Sequence, residues 1–373
     1  MPRLHCDWAL DLWHGGDGQY PEYRIPGVVV TPRGTLLCFC EARTLLRDDW
    51  NKIDILIARS ADDGQTWQKT TMTLDASLGG TPDDTLNNPT MIVDGDLLHM
   101  IFHQNYARAF HIQSEDDGVT WSRPEEITSA FREFDATWNV CATGPGHGLA
   151  TCSGRLIAPI WIANGAFEDP QGVRRAHEPS VAGSIYSDDH GKTWHAAALV
   201  ENLPDANETT VAERPDGSIL YNFRTRYTGL RRTLGVSPDG VSGFSRVWIC
   251  DELPDPMCFG SMVNLPDGSI AFVNCDVGEP DRSQPDQFSG GKDRTVRINL
   301  SRPEYGARDN LCVKMSGDGG ESWTKLTTVD AVGGYADIAV HGDSLYVFYE
   351  YGPWSRRVVE RLVLKKYTIL REE

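Results

Sequence analysis

The chain has 373 residues, 40% of them apolar and 24% charged, with 36 Gly and 21 Pro, which describes a globular chain with material for a large core and excludes fibrous and low-complexity classes. Lys plus Arg number 35 against 53 Asp plus Glu, a formal charge of −18, so long-range repulsion argues against nucleic acid or an anionic membrane surface as partners. No apolar run approaches the roughly 20 residues of a spanning helix, and MPRLHCDWALDLWHGG lacks the apolar stretch of a secretory signal, so we expect no membrane insertion and a cytoplasmic location, with a secreted mature form as the alternative.

In chain order, the first strand patterns are YRIPGVVV and, after the turn TPRG, LLCFCEAR. Cys38 and Cys40 stand two apart there, so on a strand they share one face and serve as small core groups. The nine cysteines are odd in number and include no CxxC pair, which argues against a disulfide framework and a structural metal. DILIARS leads into the octet SADDGQTW, Ser60 to Trp67. VDGDLLHM, HMIFHQ and AFHIQS lead into SEDDGVTW at Ser114, and SGRLIAPI precedes SDDHGKTW at Ser187. RPDGSILYNF is followed by a reduced copy, SPDGVSGF at Ser237, then by LPDGSIAFV, LCVKMS and SGDGGESW at Ser316. HGDSLYVFY and VVERLVLKKYTIL close the series, and the alternating Val, Leu and Tyr of the last run suit a strand that closes a ring against the N-terminal segment.

The recurring octet is a hairpin turn: short polar side chains satisfy the bend, Gly takes a left-handed conformation, and Trp enters the core. Turn chemistry accounts for its Ser and Asp without a bound ion. The octets start 54, 73 and 129 residues apart, and Ser237 divides the last interval into 50 and 79. A unit of roughly 50 to 80 residues therefore recurs about six times, with almost no helical periodicity. That pattern predicts an all-β, six-bladed β-propeller built as one domain over residues 1–373. The ten histidines show no metal-ligand spacing; His147 in GPGHG is read as a polar structural group, and no nucleophile elbow is present.

Between the octets stand motifs of another kind: YRIP with a following Glu/Arg pair, NNPT, GPGHG, NETTVAERPDGSILYNFR, LPDPMCFGS, ARDNLCVKMSGDGGESW, GGYADIAV and YEYG. In this order, together with the four octets, they make the chain resemble the sialidase (neuraminidase) family of exo-glycosidases over nearly its whole length. The resemblance implies a substrate with a permanent carboxylate on its anomeric carbon. Arginine suits such a group because its planar fork gives paired, charge-assisted hydrogen bonds and stays protonated. The family's three arginines map onto Arg24, Arg224 and Arg308, with Arg302 as a rival for the third place.

The same resemblance places the nucleophile at Tyr335 of GGYADIAV. A neutral phenol avoids the like-charge approach that a carboxylate nucleophile would suffer, in contrast to the two-carboxylate scheme of most glycosidases. Its free pKa near 10 calls for a base in contact, and Glu208 of NETT takes that role. The general acid is expected in TLLRDDW, at Asp48 in preference to Asp49. Glu350 of YEYG would brace the first arginine, Glu41 and Arg43 would face the sugar's 4-hydroxyl region, and Asn88 would reach its substituents. The reading is a retaining exo-α-sialidase acting on sialylated oligosaccharides or glycoconjugates, with no metal and no cofactor. A hydrolase for a related nonulosonic acid such as Kdn, or a catalytically silent glycan-binding propeller, are the alternatives.

Overall fold

Alternating and near-continuous apolar runs become strands whose burial depends on their distance from the centre of the molecule. Leu36–Arg43 is buried throughout, whereas Gln68–Met72, two strands further out, is largely exposed. The computed structural model describes residues 2–169, 172–226, 228–277, 307–353 and 358–371. Among these, helix is confined to Thr128–Arg132 and a 3-10 turn at Ala76–Leu78.

The strands form six sheets, each an antiparallel meander counted here from its innermost strand. The first blade is Glu22–Val30, Leu36–Arg43, Ile53–Ser60 and Gln68–Met72. The second is Leu86–Asp94, Leu97–Gln104, Arg108–Ser114 and Glu125–Glu126, with Gly146–His147 added in parallel on its inner edge. The third is Val140–Thr143, Leu156–Asp169, Gly172–Ser187 and His195–Ala196, and the fourth is Thr209–Glu213, Ile219–Phe223, Arg231–Ser237 and Arg246–Pro254. The fifth is Ser261–Asn264, Ile270–Cys275, Asp309–Ser316 and Thr324–Val332. The sixth takes Ala336–His341, Ser344–Tyr351 and Arg361–Leu370 from the C-terminal end and its outer strand, Arg3–His14, from the N-terminal end. The expected six-bladed propeller is the observed fold, closed by the pairing of the two ends. Apolar clusters fill the seams between blades, as where Val28 and Cys38 meet Phe348 and Leu364.

Each octet links the third and fourth strands of its blade. Ser60 Oγ accepts from Gly64 N (2.9 Å) and donates to Asp62 (2.8 Å), whose two oxygens take Thr66 N (2.9 Å) and Thr66 Oγ1 (2.7 Å). The same bonds recur around Asp116, Asp189 and Asp318. Both carboxylate oxygens thus serve the turn. At Ser237 the spacing from Ser to Gly is one residue shorter, Ser237 Oγ accepts from Gly240 N (3.0 Å), and Asp239 caps Val241 and Ser242. Trp194 and Trp323 are buried as expected, while Trp67 and Trp121 are only partly covered. All nine cysteines are free thiols, with Cys38 and Cys40 fully buried on one face.

Antiparallel order separates the two ends of the ring. Starts of first strands, ends of second strands and starts of third strands lie together at one end, and the octets lie at the other. The central channel at the octet end is a cavity of ≈190 Å³ walled mainly by Val, Ile, Leu and Ala side chains.

Candidate active site

Among the described residues, the charged groups singled out above fall at the end opposite the octets. Arg24 lies near the start of a first strand, Arg43 ends a second strand and Glu350 is next to last in another, Glu208 and Arg224 flank the first hairpin of the fourth blade, and Tyr335 immediately precedes a first strand. Arg308 stands just before a third strand. The ring thus brings together groups from four blades.

Tyr335 is the centre of the assembly. Its side chain is 5% exposed, its hydroxyl donates to Glu208 Oε1 (2.6 Å), and it accepts from Arg224 Nη1 (2.5 Å). The guanidinium carbons of Arg308, Arg24 and Arg224 lie 4.9, 5.1 and 5.7 Å from the centroid of its ring. Arg224 also pairs with Glu208 Oε2 (2.5 Å) and donates through Nε to Asn207 (2.6 Å). Backbone pairing of Arg224 N with Glu208 O (3.1 Å) sets the two opposite each other. Burial pushes the Tyr335 phenol well above its ordinary value, against the pull of Arg224. Burial likewise raises the Glu208 carboxyl, with Arg224 opposing.

Glu350 is the brace the motif implied. Its carboxylate takes Arg24 Nε (2.8 Å), Arg24 Nη2 (3.2 Å), and the backbone N–H groups of Ile25 and Tyr335 (3.1 Å each), and it lies 3.9 Å from Arg308 Nη1. Burial opposes its charge, but Arg24 and Arg308 outweigh that and hold its pKa below the usual value. Gly334 is needed beside it, since a Cβ there would stand 2.6 Å from Glu350 Oε2. Ile25 has φ 58° in a bulge of its strand, an uncommon conformation for a β-branched residue, and its bond to Glu350 anchors it there. Three guanidiniums against two carboxylates leave one net positive charge around Tyr335.

A second group adjoins the first. Arg43, 1% exposed, donates to Glu41 (2.7 and 3.1 Å) and to Asp49 (2.6 Å). Burial disfavours the Asp49 anion, but Arg43, then His177 and Arg24, overcome it and bring the carboxyl to about 2. Asp48, the acid expected from the sequence, does not join this group. Its Oδ1 caps the N–H groups of Trp50 (2.7 Å) and Asn51 (2.9 Å), and its Oδ2 accepts from the Asn51 amide. Consecutive side chains in the loop diverge, so only Asp49 reaches Arg43. Asn88, expected to reach the sugar's substituents, is 3% exposed. At φ 48° its amide turns to Thr143 O (3.3 Å) and Asn87 (3.0 Å), and it meets the site through its backbone N–H on Glu41 (2.8 Å). Arg302 lies outside the described residues.

Four participants carried no role in the sequence reading. Asn207 and Trp50 adjoin Glu208 and Asp49 in sequence, and that adjacency was the available signal. Tyr106 and His177, whose rings pack on Trp50, come from other blades with no local motif. His147, read as structural, bonds Asp337 (2.8 Å) on the first strand that Tyr335 precedes. Among the described residues no group of His, Cys, Asp or Glu has the arrangement of a metal site.

A family model described as "BNR repeat-like domain" matches residues 34–349. The chain is 29% identical over 339 residues to a sialidase of Micromonospora viridifaciens, covering 84% of this chain and 47% of that protein. It is 28% identical over 331 residues to Sialidase-3 of Homo sapiens, covering 80% and 74% respectively. The chain spans about half the length of the curated bacterial relatives it matches. The solved structure of Hadza microbial sialidase Hz136 matches with a TM-score of 0.74 at 23% identity, over 96% of this chain and 68% of that one, a likeness of fold.

Proposed function

The chain belongs to the BNR repeat-like domain family, and from that premise we propose that it is a retaining exo-α-sialidase that removes terminal sialic acids from glycoconjugates through Tyr335. The observation that carries the reading is a phenol hydrogen-bonded to a buried carboxylate at 2.6 Å while its ring lies within 4.9 to 5.7 Å of three guanidiniums. A glycoside without a carboxylate has no use for those charges.

In the first step Arg24, Arg224 and Arg308 hold the substrate carboxylate. Asp49 gives a proton to the leaving oxygen, the Tyr335 oxygen bonds to the anomeric carbon as that oxygen departs, and Glu208 takes the phenol proton. In the second step water attacks the same carbon. The Asp49 carboxylate takes the water's proton, the bond to Tyr335 breaks, and Glu208 returns the proton to the phenol. Two inversions give net retention. Asp49 is ionised in the free site because Arg43 and Arg24 face it; a substrate anion laid on Arg24 offsets part of that field and raises the Asp49 pKa toward what an acid requires. Glu41 and Arg43 are assigned to the sugar's 4-hydroxyl side, and Asn88 to holding Glu41.

The test is the anomer first released from an α-sialoside, followed by proton NMR before mutarotation. The α-anomer is expected. First appearance of the β-anomer would mean single displacement by water, and the Tyr335 nucleophile would be abandoned.

A further inference from the structure

The general acid faces a difficulty that its ion pair with Arg43 does not solve. Asp49 is tied to the body of the protein by Arg43 Nη1 at 2.6 Å, and that tie is strong only while the carboxylate is ionised. When Asp49 carries the proton it is to donate, the attraction weakens at the moment when position matters most. A hold on the loop that does not depend on charge is required.

Trp50, the next residue, has the surroundings to supply it. Its ring stacks on His177 with centroids 4.6 Å apart and planes 27° apart, and it packs on Tyr106 at 4.9 Å. The guanidinium of Arg175 lies 5.5 Å from its centroid on the way to Asn139 O (3.0 Å) and Asn105 O (2.6 Å). His177 and Tyr106 pack against each other (4.9 Å) and both against Trp161 (5.3 and 6.2 Å), so the members of the cage support one another. His177 Nε2 is buried with no hydrogen-bond partner, although a histidine ordinarily uses both nitrogens. Leu45 and Leu46 in the same loop are instead 50% and 51% exposed. Asp48 completes the device by tying the turn through the N–H groups of Trp50 and Asn51.

We propose that Trp50, clamped by His177, Tyr106 and Arg175 from the second and third blades, is the positioning residue that keeps Asp49 at the leaving oxygen in both of its protonation states. The inference rests on the assignment of Asp49 as the acid. Burial keeps the His177 pKa low, at about 4, so the ring stays neutral near pH 7 and its stacking face is unchanged there.

The test compares two substrates with the same sialosyl group. A 4-methylumbelliferyl leaving group departs as a stabilised phenolate and needs little protonation, whereas the sugar alcohol of 3′-sialyllactose needs the acid. For Trp50→Ala and His177→Ala, each checked by thermal melting, kcat/KM, which reports the first step and not the second in which Asp49 serves as base, is expected to fall about 100-fold on 3′-sialyllactose, the scale of a 1 Å misplacement, and by less than about 3-fold on the aryl substrate. Trp50→Phe, which keeps a stacking ring, is expected to recover most of the loss. Asp49→Ala is the reference and must show the same split. Equal losses on both substrates, or no loss on either, would overturn the clamp. A reference variant that loses both activities equally would overturn the acid assignment itself, and wild-type protein inert on both would overturn the sialidase reading.

Discussion

At the scale of single residues the site depends on buried charges that are worth having only in company. Glu350 meets two donors of Arg24 and two backbone N–H groups at 2% exposure. Glu350→Leu strips all of them of their acceptor, and removing one member of a buried pair costs about 3 to 5 kcal/mol. Chemical denaturation should register that loss, and a change under about 1 kcal/mol would show that the brace contributes little. Glu208 makes a prediction in pH. The base must be ionised to take the phenol proton, and burial lifts its pKa above the ordinary value of about 4.3. kcat/KM should therefore fall as pH drops through a value higher than that, since this ratio reports the free enzyme. In Glu208→Gln the residual activity should lose the limb, and a limb that persists would assign it to another group. These residues were legible in the sequence because each sits in a short motif. The choice between Asp48 and Asp49 was not, since two adjacent acids in a loop differ only in the direction their side chains take. Asn88 was legible as a participant but not in its manner, because its positive φ turns the amide away and presents the backbone.

At the scale of elements, the same antiparallel meander that builds the blades divides the labour between the two ends. Octets lie where third strands end, and the proposed catalytic groups lie where they begin. Ser316 shows what the octets are for: its hydroxyl, 1% exposed, accepts the buried Gly320 N–H at 2.8 Å. Ser316→Ala leaves that donor unsatisfied and should cost about 1 to 3 kcal/mol, with kcat and KM unchanged at temperatures where the protein is folded. A drop in kcat in the folded variant would contradict the separation of the ends. Four octets were plain in the sequence because every polar position of the turn is occupied by the same side-chain chemistry. The turn at Ser237 was harder to see because it loses one residue and moves the Ser acceptor from an i+4 to an i+3 donor. The bulges at Ile25 and Asn88 left no mark on the apolar pattern, yet each aims a backbone N–H at a buried glutamate of the neighbouring blade.

At the scale of the whole molecule, ring closure and the site share one seam. The outer strand Arg3–His14 pairs with Arg361–Leu370 to complete the sixth blade, and Arg24 of the first blade meets Glu350 and Tyr335 of the sixth. Trp13, 3% exposed, packs there between Tyr23 (6.3 Å) and Phe348 (5.9 Å). Trp13→Ala should cost about 3 to 5 kcal/mol, and a sialic-acid analogue, binding only the closed ring, should raise the melting temperature again. The closure was legible in the alternation of VVERLVLKKYTIL, whereas the cage around Trp50 was not, because its members meet only once three blades are assembled. The central claim is that this assembly makes Tyr335 a covalent nucleophile, and the most direct measurement is mass spectrometry of protein treated with a 2,3-difluoro sialosyl donor, whose fluorines slow breakdown of the adduct. One sialosyl group is expected on the peptide containing GGYADIAV, at Tyr335, and none in Tyr335→Phe; a label on Asp49 or Glu208 would contradict a tyrosine nucleophile.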